Sequence, residues 1–362
     1  MKILYYHRQY NTPMYLWQND HITDEMAHHG VQIVTFNPLR WESTAQANEK
    51  LVARLQEETF DLFMTCHNED LLYIPTLQKI RDMGIPTLLI CFDNLLIPYI
   101  HKDISPYFDL VWLTSRENTE IFEKQGAKTV FLPYAANPHF FTPRDTADVA
   151  RVAFVGTPYG SRANTINQLL EARIPVTLFG KTAKSSGGSK EHTITNGMLF
   201  TVKQNLKFSV GRKLLLAAAK QRLIRQSVLD KDAPTLETGG YVEKLTDVYS
   251  GYALSLSSTT ARNTGILKHP VPVVNLRSFE IPMCGGLQFC QYNEELAGYF
   301  QEDKEIVFYR NKAEMIDKAK FYLAPQQADT RRNMRLAARL RAESEHTWKH
   351  RFDKVFSLLE LK

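Results

Sequence analysis

The sequence is poor in cysteine and lacks the spacing that arranges cysteines around a metal or in a disulfide framework. Its 362 residues include four cysteines, none of which forms a CxxC pair: Cys66, Cys91, Cys284 and Cys290. Isolated cysteines in apolar stretches are typical of small buried side chains in a reducing compartment. Cysteine usage therefore disfavours a disulfide-stabilised scaffold and gives no indication of a metal site.

Long apolar runs are absent as well. No segment approaches the ~18–20 consecutive apolar residues that a membrane span needs. The opening residues, MKILYYH, are typical of a strand and lack the apolar core and cleavage site of a signal peptide. Neither a solenoid-type repeat nor a GxxxxGK[ST] phosphate loop occurs, which disfavours repeat proteins and P-loop kinases. Because the sequence shows neither a membrane-span nor a signal-peptide pattern and its cysteines fit a reducing compartment, we expect a cytoplasmic protein.

Excess charge is confined to one segment. The net formal charge is +5, yet residues 181–231 hold eleven lysines and arginines against Glu191 and Asp230, a local charge of +9 that leaves −4 for the remainder. We name residues 181–240 the basic insertion. Its residues 184–190 are rich in serine and glycine and predict an exposed loop.

Within the basic insertion, apolar residues recur at helical spacing over 206–229, with lysines and arginines between them. One interpretation is a core-facing helix with a solvated basic face. The other is an element, residues 203–229, that meets anionic lipid at the inner face of a membrane or a phosphate-bearing acceptor. Nucleic-acid binding is disfavoured because Phe200 and Phe208 are the segment's only aromatic rings.

Apolar strands alternate with helical patterns in two series along the chain. We predict strands at 2–7, 31–36, 61–66, 86–92, 110–114 and 129–132, and then at 151–155, 175–179, 252–256, 287–290 and 305–308. Such alternation is typical of parallel sheets covered by helices on both faces. Residues 137–148 form the best linker candidate. The fold class is therefore α/β, with two Rossmann-like, doubly wound domains at 1–142 and 150–345.

Ligands of doubly wound folds bind at the carboxyl ends of the strands, so we examined the residues that follow each strand. Gly156, Thr157 and Arg162 lie between a strand and a helix, where free N–H groups, a close backbone approach and a guanidinium favour phosphate. On spacing alone, a plain tight turn explains these residues equally well.

Residues 275–290 form a second candidate site. Arg277 and Glu280 are three residues apart and so share one helical face, where they can serve one ligand. Glu280 is either a carboxylate that accepts the hydroxyls of a ribose or simply an acidic residue at a helix start. Gly285 and Gly286 either let backbone approach that ligand or cap the helix.

In the first domain, His67 and Asp93 each follow a strand end. Asp93 is the better candidate for a base that takes a proton from an acceptor hydroxyl, although it can equally cap a turn. His67 is a second candidate, with a hydrogen-bonded core histidine as the alternative. Residues 230–232 match a DxD metal motif, but such a short match is expected by chance, and we predict no metal site.

The second half of the chain resembles a known family. Its similarity to the C-terminal domain of spore-maturation CgeB-like glycosyltransferases, a branch of the GT-B enzymes related to families 1 and 4, covers about residues 150–355. The similarity is carried by residues 155–157 with Arg162, NLRSFEIPMCGG at 275–286, NEEL at 293–296, KEIVFY at 304–309, FYL at 321–323 and HTWKHR at 346–351.

The resemblance implies a GT-B fold, two facing domains with a cleft between them, and a nucleotide-sugar donor held by the C-terminal domain without a separate cofactor or metal. Glu280 would bind the ribose of a UDP-, GDP- or TDP-sugar, and Arg277 or Arg162 would neutralise its diphosphate. The donor segment also contains Asn275, Ser278 and Phe279, and the backbone of Gly285 and Gly286 would shape its pocket.

Three further expectations come from the resemblance. The terminal helix, within 346–362, would rejoin the first domain, and Asp93 after Phe92 echoes an aspartate of the family. Relatives favour retention of anomeric configuration, but Pro272 stands where family 4 enzymes have the first glutamate of an E-x7-E pair.

We therefore predict transfer of a sugar to a hydroxyl of a glycan, lipid-linked or protein acceptor, in the synthesis of surface polysaccharide or glycoconjugate. The alternative is a non-catalytic nucleotide- or sugar-binding module with the same twin-domain shell.

Overall fold

The computed structural model describes residues 1–10, 13–146, 148–180, 196–223 and 228–361. The chain forms two compact units: unit 1 comprises Met1–Phe140 and Thr347–Lys362, and unit 2 comprises Phe141–His346. The division falls inside the predicted linker, residues 137–148. The predicted loop at 184–190 and helical residues 224–227 lie outside the described residues.

Unit 1 is built on a six-stranded parallel sheet. Its strands are β1 (Lys2–Tyr6), β2 (Gln32–Phe36), β3 (Leu62–Thr65), β4 (Thr87–Cys91), β5 (Leu110–Leu113) and β6 (Thr129–Phe131). They pair in the order β2-β1-β3-β4-β5-β6. The inner strands are mostly apolar because helices cover both faces, and Leu4, Phe63 and Leu89 are fully buried.

The helices of unit 1 follow the predicted alternation with one irregularity. They are α1 (Pro13–Gln18), α2 (Asp24–His28), α3 (Thr44–Glu57), α4 (Ile74–Asp82) and α5 (Thr119–Glu123). Residues Asn19–Thr23 form a π-helical turn between α1 and α2. The sequence pattern predicts a single helix over 16–29, ended by Gly30. The structure interrupts this helix, which hydrophobic spacing alone does not reveal.

Unit 2 has a second six-stranded parallel sheet. Its strands are β7 (Val149–Val155), β8 (Val176–Phe179), β9 (Leu236–Gly240), β10 (Tyr252–Ser257), β11 (Gln288–Gln291) and β12 (Val307–Tyr309). They pair in the order β12-β11-β10-β7-β8-β9. The edge strand β9 was not predicted, because its sequence, LETGG, lacks the apolar pattern of a strand.

The helices of unit 2 are α6 (Ser161–Glu171), α7 (Asn196–Asn205), α8 (Ser209–Leu223), α9 (Leu245–Tyr249), α10 (Arg277–Met283), α11 (Glu294–Ala297), α12 (Lys312–Leu323) and α13 (Ala328–Glu345). The prediction of one helix from residue 206 is wrong at its start, since α8 begins at Ser209. The chain turns tightly there: a Cβ on Gly211 would lie 2.2 Å from the carbonyl oxygen of Asn205.

The last helix, α14 (Trp348–Leu358), belongs to unit 1. Trp348 is fully buried and packs 6.0 Å from the ring of Trp112. The carboxylate of the buried Glu25 accepts hydrogen bonds from the N–H groups of Trp348 (3.1 Å) and Lys349 (2.7 Å). These two groups are N–H donors that the first turn of a helix leaves unsatisfied, so Glu25 attaches the helix to α2.

The strand orders confirm the predicted fold class of two doubly wound parallel sheets. In unit 1 the order reverses between β1 and β3, and in unit 2 it reverses between β7 and β10. Such reversals open a crevice outside the carboxyl ends of the strands, where ligands of these folds bind. No helix among the described residues has both the length and the hydropathy needed to cross a bilayer.

Candidate functional site

A polar pocket of about 100 Å³ lies at the strand-order reversal of unit 2. Its wall is formed by Phe154 of β7, residues 257–260 after β10, Gln291 at the end of β11, Tyr309 of β12 and the first turns of α6. Four consecutive hydroxyl side chains, Ser-Ser-Thr-Thr at 257–260, give the wall much of its hydrogen-bonding capacity. These residues were not predicted, because no spacing rule identifies them in the sequence.

The predicted phosphate turn leads from β7 into α6 beside this pocket. Gly156 has a φ of +143°, and its N–H donates to the carbonyl of Phe179 (2.9 Å). Gly160 has a φ of +57°, and a Cβ there would lie 1.9 Å from Oδ1 of Asn263. Thr157 is exposed. Both glycines are thus required by the backbone, and Gly160 also by the close approach of Asn263.

Arg162 is the cation of the pocket wall. Its guanidinium carbon lies 4.6 Å from the centre of the Tyr159 ring, a cation–π contact that orients the side chain. Its Nε atom is buried and has no hydrogen-bond partner among the described residues. A buried N–H without an acceptor is costly, and a guanidinium forms its strongest hydrogen bonds with carboxylate or phosphate. This geometry favours an anionic ligand at the start of α6, where the helix dipole acts in the same direction.

Arg277 and Glu280 lie on one face of α10, as their spacing predicted, and they form an ion pair with each other. The carboxylate of Glu280 is buried, whereas 37% of the Arg277 side chain is exposed. Burial is the largest single effect on Arg277 and lowers its pKa, but the charges of Glu280 and Tyr249 and the hydrogen bond to Glu280 together raise the arginine's pKa. Glu280 is therefore a paired, buried carboxylate rather than a solvated residue at a helix start.

Asn275 connects α10 to the pocket. Its Oδ1 accepts the N–H of Arg277 (3.0 Å), and its Nδ2 donates to the carbonyl of Ser258 (3.1 Å), a residue of the pocket wall. The hydroxyl of Ser278 accepts the N–H of Asn275 at 3.4 Å. Arg277 and Glu280 are not part of the pocket wall themselves, so their connection with it runs through Asn275 and Ser258.

Phe279 points into the interior of unit 2. It is fully buried, and its ring centre lies 5.3 Å from that of His346 and 5.9 Å from that of Tyr299. These contacts fix the rotation of α10 about its axis. Phe279 therefore positions Arg277 and Glu280 from behind and presents no surface to a ligand.

Gly285 and Gly286 cap α10 at the end opposite to Arg277. Gly285 has a φ of +69°, its N–H donates to Pro282, and the N–H of Gly286 donates to Ile281, each at 2.9 Å. This pair of bonds is the Schellman motif. A Cβ on Gly286 would lie 2.9 Å from the carbonyl oxygen of Tyr249. Of the two roles that the sequence allowed, the structure therefore supports the cap.

In unit 1, His67 lies at the strand-order reversal, after β3. Its Nε2 accepts the N–H of Arg8 at 2.8 Å, and its ring stacks on that of His7, 5.6 Å away. Burial, followed by the charges of His7, Arg8 and His101, lowers the pKa of His67 to about 3. A histidine with this pKa is a weak base at neutral pH. The geometry favours the hydrogen-bonded role over the catalytic one.

His67 also belongs to a cluster with His7 and Cys66 whose potential metal-ligating atoms lie within 4.8 Å of one another. Sequence spacing missed this cluster because β1 and β3 are distant in the chain and adjacent in the sheet. Since Nε2 of His67 accepts the backbone N–H of Arg8, the cluster as arranged is a hydrogen-bonded one. At 230–232, the predicted chance match, Oδ1 of Asp230 accepts the N–H of Asp232 (3.2 Å) within an exposed turn.

Asp93 is exposed in the turn that follows β4. Its carbonyl accepts the N–H groups of Leu96 and Ile97, each at 3.0 Å. Burial raises the pKa of Tyr134, and the negative charge of Asp93 raises it further, which shows that the two groups are close. The turn thus holds the Asp93 carboxylate at the carboxyl edge of the sheet, in contact with water.

Comparison with known proteins gives a family match within the second half of the chain and a set of structures with the same fold. Residues 212–357 match a protein-family model described as "Glycosyl transferase-like". This segment contains α10, β10, β11 and β12, and thus most of the pocket wall. No curated protein sequence matches the chain.

Several solved structures resemble the whole chain, among them the following three. The Anabaena HepE structure in complex with UDP has a TM-score of 0.60 and 13% identity, covering 100% of both chains. A glycosyltransferase from Rickettsia africae has a TM-score of 0.57 and 11% identity, covering 99% of this chain and 97% of that one. Sucrose-phosphate synthase from Thermosynechococcus elongatus has a TM-score of 0.54 and 12% identity, covering 99% of each. The chain therefore has the GT-B fold.

Proposed function

We propose that this protein is a glycosyltransferase that takes a sugar from a nucleotide-sugar donor bound at the carboxyl edge of the unit 2 sheet. The observation that carries the proposal is the buried Nε–H of Arg162, which lies in a polar pocket at the strand-order reversal and has no hydrogen-bond acceptor among the described residues. A diphosphate supplies the acceptor oxygens that this donor lacks. The hydroxyl-rich wall at 257–260 provides partners for a nucleoside or a sugar.

The comparisons support this proposal and suggest the nucleotide. The family match covers the segment that forms most of the pocket. Structures of Anabaena HepE are described as complexes with UDP and with UDP-glucose. A UDP-sugar is therefore the first donor to test, with GDP- and TDP-sugars as the alternatives.

In this proposal the charged groups of unit 2 divide between the two parts of the donor. Glu280 accepts the ribose hydroxyls, and Arg277 and Arg162 neutralise the diphosphate. The bond between the anomeric carbon and the diphosphate oxygen breaks as the acceptor oxygen bonds to that carbon. Cations and a helix N-terminus stabilise the negative charge of the leaving group, so no metal ion is needed.

We further propose that unit 1 supplies the acceptor site and that the acceptor hydroxyl belongs to a glycan, a lipid-linked sugar or a protein. Asp93, exposed at the carboxyl edge of that sheet, is the proposed group that orients the hydroxyl or receives its proton. His67 is not proposed for this role, since its pKa of about 3 leaves it too weak a base. We also propose that the anomeric configuration is retained. Pro272 stands where family 4 enzymes have the first glutamate of the E-x7-E pair, so the stereochemistry of the product tests this part of the proposal.

The test is a donor panel with the purified full chain. UDP-, GDP- and TDP-sugars are incubated with and without candidate acceptors, and released nucleoside diphosphate is measured in buffer containing EDTA. The proposal predicts release from one nucleotide class, with the anomeric configuration of the product read by NMR. Tight nucleotide binding without any hydrolysis or transfer would instead identify a non-catalytic binding module. Absence of both binding and turnover across the panel would overturn the proposal.

A further inference from the structure

The helical pair α7 and α8 presents an unusual outer face to solvent. Of the large apolar side chains that are exposed in the described residues, a group lies on or next to this pair: Leu199, Phe200, Leu206, Leu216 and Leu223. Leu216 is 59% exposed and Leu223 is 88% exposed. Apolar surface concentrated in this way marks an interaction site rather than scattered surface leucines.

Helical geometry places the exposed residues of α8 in one stripe. Arg212, Leu216, Ala219 and Leu223 stand at i, i+4, i+7 and i+11, and all four are exposed. The opposite side of the helix is buried through Val210, Leu214 and Ala217. The helix therefore has two apolar faces. One packs against the rest of unit 2, and the other is the exposed stripe, which begins at Arg212.

The exposed charges around this stripe are all positive. Lys203, Lys207, Arg212 and Arg222 are exposed, and the sequence from 196 to 223 contains no aspartate or glutamate. Apolar side chains bordered by lysine and arginine, with no acidic residue, are typical of helices that lie in the interface of an anionic membrane. Each such cation near an anionic surface adds to the attraction.

The pair is also firmly attached to unit 2, so the stripe is held in place. Nζ of Lys220 donates to the carbonyl of Ile266 (2.9 Å), and Nδ2 of Asn263 donates to Oε1 of Gln221 (2.5 Å). Helical geometry places Gln221 on the side of α8 opposite to the stripe and Lys220 on the flank of the stripe. Asn263 also contacts Gly160 of the phosphate turn, so the hydrogen bond between Asn263 and Gln221 connects α8 with the turn beside the pocket.

We propose that the outer face of α7 and α8 is a docking surface for an anionic lipid bilayer, which the apolar stripe enters while the basic residues contact headgroup phosphates. A second copy of this chain fits less well, because a symmetric contact would bring like charges together with no carboxylate between them. Membrane docking does not depend on the proposed transferase activity. If both hold, the enzyme works on acceptors at a membrane surface.

The experiment is vesicle flotation with the full chain at low and at moderate salt. Vesicles of phosphatidylcholine alone are compared with vesicles that also contain phosphatidylglycerol. The wild type is expected to float with the anionic vesicles only, and binding is expected to weaken with salt. Replacing Arg212 and Arg222 by glutamine should weaken binding about fivefold per charge, since each contributes roughly this factor near an anionic surface.

The stripe itself is tested with a matched pair of double variants. L216E/L223E introduces acidic groups into the stripe and is expected to abolish flotation. L336E/L340E changes two exposed leucines (60% and 57%) on α13, a helix with charges of both signs, and should float like the wild type. Circular dichroism confirms that each variant is folded.

Three outcomes would overturn the proposal. One is equal binding of the wild type to neutral and anionic vesicles at low salt, and another is unchanged flotation of L216E/L223E. The third is concentration-dependent self-association that L216E/L223E abolishes while no variant binds vesicles, because the face would then be an interface between copies. UDP binding, measured in parallel by calorimetry, separates loss of docking from loss of the donor site.

Discussion

The buried carboxylate of Glu280 is paired with the guanidinium of Arg277, one helical turn earlier and partly open to solvent. The pair stands at the start of α10, where Asn275 ties the helix to Ser258 of the pocket wall. A carboxylate that a cation already neutralises is stable in the interior without a ligand. The same pair can therefore hold α10 in place and, in the proposed function, offer Glu280 to the ribose hydroxyls and Arg277 to the diphosphate.

Replacing Glu280 by glutamine tests the donor role of this pair. Hydrogen bonds to charged groups are worth ~1.5–3 kcal/mol, so the variant should bind UDP about 10- to 100-fold more weakly, as measured by calorimetry. The control is Asp148→Asn. Asp148 pairs with Arg331 and Arg335 at the amino end of β7, away from the pocket, so this change should lower the melting temperature and leave UDP affinity unchanged. Equal affinity in Glu280→Gln and wild type would contradict the assignment.

Arg162→Gln removes the cation of the pocket wall. We expect a loss of about 10- to 100-fold in affinity for UDP, and little change for uridine, which carries no phosphate. Arg332→Gln is the matched control, because Arg332 is exposed on α13 and pairs only locally with Asp329. A variant that loses uridine and UDP affinity in equal measure would show that Arg162 shapes the pocket rather than binding phosphate.

Gly286→Ala distinguishes a role of Gly286 in capping α10 from a role in the wall of the donor pocket. The new methyl group would meet the backbone of Tyr249 and Ile281 at 2.9–3.0 Å, so we expect a destabilisation of ~1–3 kcal/mol and a lower melting temperature by calorimetry. Below that temperature, UDP affinity should stay within about twofold of the wild type, since the change lies at the far end of the helix. A large loss of UDP affinity with unchanged stability would contradict the capping role and indicate that Gly285 and Gly286 contribute to the donor site.

Glu25 gives unit 1 a defined pH dependence. Burial raises its pKa to about 7, against the hydrogen bonds from Lys349 and Trp348, which lower it. Between about pH 4.5 and 7 the folded state keeps a proton that the unfolded state has released. The free energy of unfolding should therefore fall as pH rises through this window, by at most roughly 3 kcal/mol, and be level above it.

The measurement for Glu25 is urea denaturation followed by tryptophan fluorescence. All four tryptophans of the chain lie in unit 1, at positions 17, 41, 112 and 348, so the signal reports this unit. Glu25→Gln cannot ionise, and its stability relative to the wild type should rise with pH across the window. A constant difference between the two proteins would show that Glu25 does not titrate there.

Much of the fold could be predicted because inner parallel strands are short runs of mostly apolar residues. Strands such as β1 and β4 stand out from the helices around them for this reason. The prediction failed where the pattern carries no information. The polar edge strand β9 looks like a loop, and the turn before α8 continues the helical spacing of leucines although Gly211 packs against Asn205.

The candidate site was predictable only in part. The pairing of Arg277 with Glu280 follows from local helical spacing, which sequence specifies directly. The contact of Gly160 with Asn263, and that of His7 with His67, depend on which strands are neighbours, and no local pattern encodes this. The burial of Phe279 and the cap formed by Gly286 likewise became evident only from the packing of α10.

Hydrogen–deuterium exchange of the full chain with and without saturating UDP tests the central claim most directly, because it locates the nucleotide without any mutation. A bound ligand protects the amides that it contacts or orders. The account predicts protection at residues 156–162, 257–260 and 275–280 of unit 2. Protection confined to unit 1, or unchanged exchange in all three segments while calorimetry shows UDP bound, would contradict it.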